Sequence, residues 1–294
     1  MENKNFYSKV LLFGEYGIIS NSDALSIPFK EFYGFLNKST KLNQDQKHSN
    51  DKLIELYRFI SNNNNINNVI DIHNLKKDIE LGLHFDSNIP IASGVGSSGA
   101  LVASIFHQYL RTDINNLELE DIKHLLSIIE SKFHGKSSGL DPLVSFYNKP
   151  ILLSNQKIKL LDEIDYRDYR IYLIDSNINA STKKMIEIFN TKMNDTDFNA
   201  FFKNDFISKT NVCIDNLLSN STSLQDSIKE LSEITLNNFQ EMIPNQIKEK
   251  WEYGLNTNSY FMKLCGSGGG GFFTVFDFQN QESSKFADFK SFQI

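Results

Sequence analysis

The sequence predicts an α+β fold. Strand-like apolar runs and helical periodicities are mixed along the chain without a strict βαβ rhythm. Two glycine-rich turns each stand against a strand pattern, and a length of 294 residues suits one large domain or two of ordinary size. Ser8 to Phe13 reads as a buried strand, followed by Gly14-Glu15-Tyr16-Gly17 and the apolar pair Ile18-Ile19. Residues 37–50 are polar and read as a loop. From Asp51 to Ile60, Leu53, Leu56, Tyr57 and Ile60 recur at helical spacing. The asparagine-rich stretch 61–68 is a turn-prone surface connection. Leu81, Leu83 and Phe85 alternate, predicting a strand over 80–86.

Next comes Ile89-Pro90-Ile91-Ala92-Ser93-Gly94-Val95-Gly96-Ser97-Ser98-Gly99-Ala100, after which Leu101, Val102, Ile105, Phe106 and Tyr109 fall on one helical face. A second helix is expected over 119–134, broken by Ser137 to Pro142, and Leu143 to Phe146 reads as the start of a strand. The charged stretch 162–168 marks an expected domain boundary. Ile171 to Ile174 is a strand, helices run through 182–190, 196–219 and 223–241, and strands at 260–265 and 272–276 flank Gly266-Ser267-Gly268-Gly269-Gly270-Gly271.

Composition narrows the function. Hydrophobic residues at 40% and charged residues at 22% belong to a globular chain rather than a disordered one. A net charge of −6 argues against a protein that coats nucleic acid or an anionic membrane. No apolar run approaches the roughly 20 residues of a membrane-spanning helix, and the polar start predicts no signal peptide. Cys213 and Cys265 lie far apart without CxxC spacing, so neither a disulfide scaffold nor a cysteine zinc site is expected, and the expected compartment is the cytoplasm.

Of 15 glycines, eight fall in two short stretches, 94–99 and 266–271. Glycine permits positive φ and close backbone approach at an entropic cost, so the clustering implies a chain that bends tightly around something. Gly94-Val95-Gly96-Ser97-Ser98-Gly99 matches G-x-G-x-x-G literally, but the acids at the dinucleotide-fold offset, Glu118 and Glu120, open a helix rather than end a strand. Gly135-Lys136-Ser137 imitates the end of a P-loop, yet Glu130 stands where its first glycine belongs. The protein-kinase glycine loop fails for want of H-R-D and D-F-G. A glycine loop opening a helix still offers backbone N–H groups and the positive dipole end to phosphate. Ser97 and Ser98 add hydroxyls that could meet phosphate or Mg²⁺; alternatively, one of them caps the helix.

Three segments in order resemble the GHMP small-molecule kinase superfamily. Ser8-Lys9-Val10-Leu11-Leu12-Phe13-Gly14-Glu15-Tyr16 looks like its first motif, and Pro90 through Ala100 like its P-x-x-x-G-L-G-S-S-A loop. Lys263 through Gly271 looks like its K-L-T-G-A-G-G-G-G segment. Within the superfamily, Glu130-Ser131-Lys132-Phe133-His134-Gly135-Lys136-Ser137-Ser138-Gly139-Leu140-Asp141 is similar to mevalonate kinases. Asn179-Ala180-Ser181-Thr182-Lys183 resembles the family's Ser/Thr-rich turn.

The resemblance implies a two-domain GHMP kinase fold. Residues 1–160 would form a ribosomal-protein-S5-like α+β domain with the ATP-binding loop, and 161–294 a ferredoxin-like α+β domain. It implies ATP and Mg²⁺ as cofactors and transfer of the γ-phosphoryl group to a hydroxyl, first of all the 5-hydroxyl of mevalonate, in isoprenoid synthesis. Phosphomevalonate, homoserine, a sugar, decarboxylation of diphosphomevalonate, or a catalytically silent nucleotide-binding member are the alternatives. Asp141 would be the base that takes the hydroxyl proton, and Lys9 would stabilise the transferring phosphoryl group. Pro90, Ser93, Gly94, Val95, Gly96, Ser97, Ser98 and Gly99 would hold the nucleotide, while Ser98 and Glu130 would bind the metal. Glu15, Tyr16, Ser181, Thr182, Gly268 and Gly269 would meet the substrate, and the 266–271 loop would lie close to the phosphate loop. His134 would be structural. The partner is then a small hydroxy acid, with no nucleic acid or membrane involved; a homodimer is compatible. Three departures stand out. Tyr16 replaces the usual histidine of G-E-H, and Gly99 and Cys265 replace the usual Ala and Thr, the latter pair as small changes in bulk.

Overall fold

The protein is described from a computed structural model covering residues 4–90, 93–166, 168–179, 181–279, 286 and 288–294, without the side chains of Ile19 and His134. Ile91, Ala92 and Ala180 of the motifs above, and the side chain of His134, lie outside the described residues. The chain forms two compact units. The first comprises residues 1–9, 28–90 and 95–149; the second comprises 10–27, 91–94 and 150–294. The divide therefore falls within the two long strands β1 (Phe6–Phe13), after Lys9, and β2 (Ala24–Lys38), after Ile27.

In the first unit, β2 pairs antiparallel with β3 (Leu83–Ser87), Gly34 opposite Ser87 and Lys38 opposite Leu83. The helices are α1 (Gln44–Ser61), α2 (Ile72–Glu80), α3 (Ser97–Tyr109), α4 (Leu119–His134) and α5 (Leu140–Tyr147). Leu53, Leu56, Ile60, Val102, Ile105, Phe106, Leu126, Ile129, Leu143 and Val144 form its core, each at most 1% exposed. Two expectations need correction here. The segment 37–50 is not all loop, because α1 already starts at Gln44. Asn43 accepts the Gln46 N–H at 2.9 Å and Gln46 Oε1 accepts the Asn43 N–H, a reciprocal cap that polar composition concealed. Leu143 to Phe146 is helical, not a strand. A helix buried on every side shows no amphipathic stripe, so a short apolar run does not distinguish the two states.

In the second unit, residues 24–26 of β2 pair with β4 (Ile151–Ser154), which pairs with β5 (Lys157–Leu160). A four-stranded antiparallel sheet runs in the order β7 (Phe261–Leu264), β8 (Phe272–Asp277), β6 (Arg170–Asp175), β9 (Lys290–Gln293). Its helices are α6 (Thr182–Met193), α7 (Thr196–Phe201), α8 (Ile207–Leu218), α9 (Leu224–Asn238) and α10 (Asn245–Thr257), with a π-helical stretch over 202–206 joining α7 to α8. Ser232 ties this unit together: its hydroxyl accepts from Trp251 Nε1 at 2.7 Å and from the Met262 N–H at 3.2 Å, linking α9, α10 and β7.

Candidate active site

The first unit holds nine of the predicted residues and draws four of them, Lys9, Ser98, Glu130 and Asp141, together. Lys9, on β1, is almost fully buried, and its Nζ lies 2.9 Å from Asp141 Oδ2. Two contacts set it there. Its N–H donates to the Val95 carbonyl at 2.9 Å, and its stem lies against Gly96, where a Cβ would fall 2.8 Å from Lys9 Cγ. Gly96, at φ +82°, is thus shaped both for the left-handed turn and for the lysine.

Gly96 is also the residue that opens α3. Neither Ser97 nor Ser98 occupies the cap position; both stand in the first turn, half-buried. The capping reading of these serines therefore gives way. With a glycine cap, there is no cap side chain to occupy the N–H groups of the first turn, which is the arrangement that suits an anion. Val95 is buried at 1% exposure and anchors the turn.

Asp141 sits in the first turn of α5, where the dipole favours a carboxylate. The left-handed Gly139, at φ +75°, precedes that helix. Gly99 is what lets α3 approach it. A Cβ there would fall 2.9 Å from Asp141 C and Pro142 N and 3.1 Å from Asp141 Cβ. The replacement of the family's alanine by Gly99 is therefore required by packing in this chain and is not a neutral change of bulk.

Glu130, on α4, is only 3% exposed. Its carboxylate accepts from Ser137 Oγ, and Ser98 Oγ stands 3.5 Å away. Burial pushes the Glu130 carboxyl up to about 7, helped by the negative charge of Asp141; Ser137, Lys9 and Ser98 pull it back down. A buried acid beside a second acid is costly without a cation. Among the described residues, no three His, Cys, Asp or Glu side chains converge on one point. Mg²⁺ carried by phosphates needs only one or two protein carboxylates together with phosphate oxygens. Glu130 and Ser98 fit that role.

Sequence reasoning passed over Ser137, treating it only as a helix-breaking turn residue. Its hydroxyl donates to Glu130 and accepts from the Gly139 N–H at 2.9 Å, so it joins the carboxylate to the turn that starts α5.

The second unit holds the other predicted residues. Gly266 and Gly268 to Gly271 all have positive φ. The Gly269 N–H donates to the Met242 carbonyl at 2.6 Å and the Gly271 N–H to the Ile178 carbonyl at 2.8 Å. A Cβ on Gly269 would meet Met185 Sδ at 2.5 Å. The loop also comes close to residues 93 and 94: a Cβ on Gly271 would stand 3.4 Å from the Ser93 carbonyl oxygen, and one on Gly94 3.8 Å from that of Cys265. Ser181 caps α6 by accepting the Lys184 N–H at 3.3 Å, and Ser267 Oγ donates to Thr182 Oγ1 at 3.5 Å. Glu15 is buried and ion-paired with buried Lys263, which also donates to the Leu264 carbonyl at 2.7 Å. Lys263 stood in the third motif without a role; its partner becomes visible only in the fold. Pro90 is half-buried and ends the first unit's share of the loop.

Residues 58–149 match the family model described as GHMP kinases N terminal domain. Solved structures of similar fold span nearly the whole chain. One is a mevalonate kinase, at TM-score 0.67 and 16% identity, covering 100% of this chain and 98% of that one. The chain has the GHMP kinase fold. The Streptococcus pneumoniae phosphomevalonate kinase, in complex with phosphomevalonate and AMPPNP, is similar at TM-score 0.66 and 13% identity, with 100% of both chains covered. The Lactococcus lactis galactokinase, complexed with galactose, is similar at TM-score 0.59 and 12% identity, with 100% of this chain and 92% of that one covered. No curated protein sequence matches the chain. Among the described residues, no helix is long and apolar enough to cross a membrane.

Proposed function

We propose that this GHMP-fold chain is an ATP-dependent kinase that transfers the γ-phosphoryl group to the hydroxyl of a small molecule. The observation that carries the reading is the Lys9–Asp141 pair at 2.9 Å, set beside the glycine-opened end of α3 and near the buried Glu130. Phosphoryl transfer asks a protein mainly for placement and neutralisation of charge. The N–H groups at the start of α3 bind phosphate oxygens. Asp141, whose side chain is 35% exposed, is open to an incoming hydroxyl and takes its proton. Lys9 lies behind it, 7% exposed, and balances the charge that grows on the acceptor oxygen and the transferred group. Glu130 and Ser98 would hold Mg²⁺, which when bound would neutralise the phosphate oxygens. The contact of the 266–271 loop with Ser93 and Gly94 supports the first residues of the phosphate loop.

The acceptor we favour is mevalonate, because the Glu130 to Asp141 segment is similar to mevalonate kinases in its spacing. Phosphomevalonate stands second, as the acceptor bound in a solved structure of the same fold at TM-score 0.66. ADP release in the presence of ATP and Mg²⁺ against mevalonate, phosphomevalonate, homoserine and galactose tests both. Mevalonate-dependent release is expected. Release only with another acceptor corrects the substrate, and none with any acceptor rejects a kinase for this panel.

A further inference from the structure

We infer that Tyr16 is a positioning residue that locks the second glycine loop, and through it the start of the phosphate loop, instead of gripping the acceptor. The inference rests on the kinase reading above for its kinetic consequence, but its structural content stands on the second unit alone. Tyr16 adopts φ +59°, a left-handed conformation costly for a bulky residue, and one that persists only where the surroundings determine it.

Those surroundings are visible. The ring stacks on Phe189 at 4.4 Å between centroids with 24° between planes, and lies 6.1 Å from Phe239 with 26° between planes. Its hydroxyl donates to the Ser267 carbonyl at 2.6 Å. Both the apolar body and the polar tip of the side chain are thus committed inside the unit. Burial, and the neighbouring Glu15 charge, keep the phenol protonated well above the usual tyrosine range, so it stays a donor.

The bond falls where it matters. Ser267 is the non-glycine residue within Gly266 to Gly271, and every glycine there has positive φ. Apart from Ser267, whose hydroxyl reaches Thr182, such a run has no side chains to hold its shape, so ties to its backbone must supply most of the order. Gly269 is tied to Met242 and Gly271 to Ile178; Tyr16 ties the near side. The preceding Glu15 bonds to Lys263 at the end of β7, so two consecutive residues of the Gly14–Gly17 turn hold the segment that carries this loop. The loop in turn lies against Ser93 and Gly94. A loosened loop therefore reaches the nucleotide before it reaches the acceptor.

The test uses Tyr16→Phe, which keeps the ring stack and removes the one hydrogen bond. A second variant, Tyr16→His, keeps an aromatic ring whose donor is too short for Ser267. Three readouts separate the outcomes: amide hydrogen exchange over the 266–271 peptide, binding of a non-hydrolysable ATP analogue, and KM for ATP against kcat and acceptor KM. Losing one such bond should accelerate exchange in the loop and weaken nucleotide binding and ATP KM about three- to tenfold, with the acceptor KM unchanged. Both variants should behave alike. A raised acceptor KM with unchanged ATP affinity would return Tyr16 to the acceptor site, and unaltered exchange and ATP affinity in both variants would overturn the inference. Should the protein turn over no acceptor, hydrogen exchange and analogue binding still decide the role of Tyr16. If neither variant folds while Tyr16 is the only change, the residue is a core element and the inference is likewise overturned.

Discussion

Gly99→Ala restores the residue usual at that position in the family, and the structure predicts that it harms this protein. Two terms oppose each other. In the interior of a helix, Ala is better than Gly by about 1 kcal/mol. Against this, the added methyl would sit 2.9 Å from two main-chain atoms, Asp141 C and Pro142 N, and 3.1 Å from Asp141 Cβ. Main chain at the start of a buried helix cannot swing aside as the end of a flexible side chain can, and overpacking of this kind costs roughly 1–3 kcal/mol. The net expectation is a loss of up to about 2 kcal/mol. The functional effect is larger, because the clash is relieved by pushing the first turn of α5, with Asp141, away from Lys9. A displacement near 1 Å can cost about a hundredfold in rate. Urea denaturation and ADP-release kinetics on the same preparations measure both quantities. The expected result is a kcat reduced ten- to a hundredfold with a modest shift in midpoint. A variant that is more stable and fully active would refute the claim that α3 and α5 meet through Gly99.

Further expectations follow from the same geometry. Asp141→Asn should abolish turnover while an ATP analogue still binds, because the helix end and Lys9 remain; calorimetric titration and ADP release check the two halves. Glu130 carries a pH signature in EDTA-treated protein. Its folded pKa of about 7 lies above the ordinary 4.5, so the native state holds the proton more tightly than the unfolded chain. Its stabilising contribution is complete below about 4.5 and is lost as pH rises through about 7, by ~3 kcal/mol in all. Glu130→Gln should remove this slope from chemical denaturation curves compared over pH 4–8, and should also weaken the Mg²⁺ dependence of turnover. Burial pushes the Cys213 thiol up to about 12, so at pH 8 neither it nor buried Cys265 should react with a thiol reagent until urea unfolds the chain. Prompt labelling of the native protein would contradict both burials.

Much of the site was legible because it is local in sequence. The Gly94–Gly99 loop, the helix after it, and the spacing from Glu130 to Asp141 can each be read in a window of a dozen residues. What brings Lys9 to Asp141 is a tertiary contact across the whole first unit, and only the family resemblance suggested it. Ser137 was illegible for a different reason: a serine in a turn announces a break, and only the fold turns its hydroxyl back onto Glu130 in the helix before it. Lys263 and Glu15 are separated by most of the chain. Among the elements, α5 was read as a strand because full burial erases helical periodicity. β4 and β5 were passed over because their turn places Asn155 and Gln156 at positive φ, and glutamine gives little warning of that conformation. The identity of the helix cap was also a matter of geometry. Both serines could have served, and the backbone chose Gly96.

The central claim is that Lys9, Glu130, Asp141 and the start of α3 together surround the transferring phosphoryl group. A crystal structure with Mg²⁺ and a non-hydrolysable ATP analogue tests it most directly. The expected result is the metal at about 2.1 Å from a Glu130 carboxylate oxygen, phosphate oxygens on the N–H groups of the first turn of α3, and Lys9 facing the terminal phosphate. A nucleotide bound elsewhere, or a metal that leaves Glu130 in contact only with Ser137 and Ser98, would contradict it.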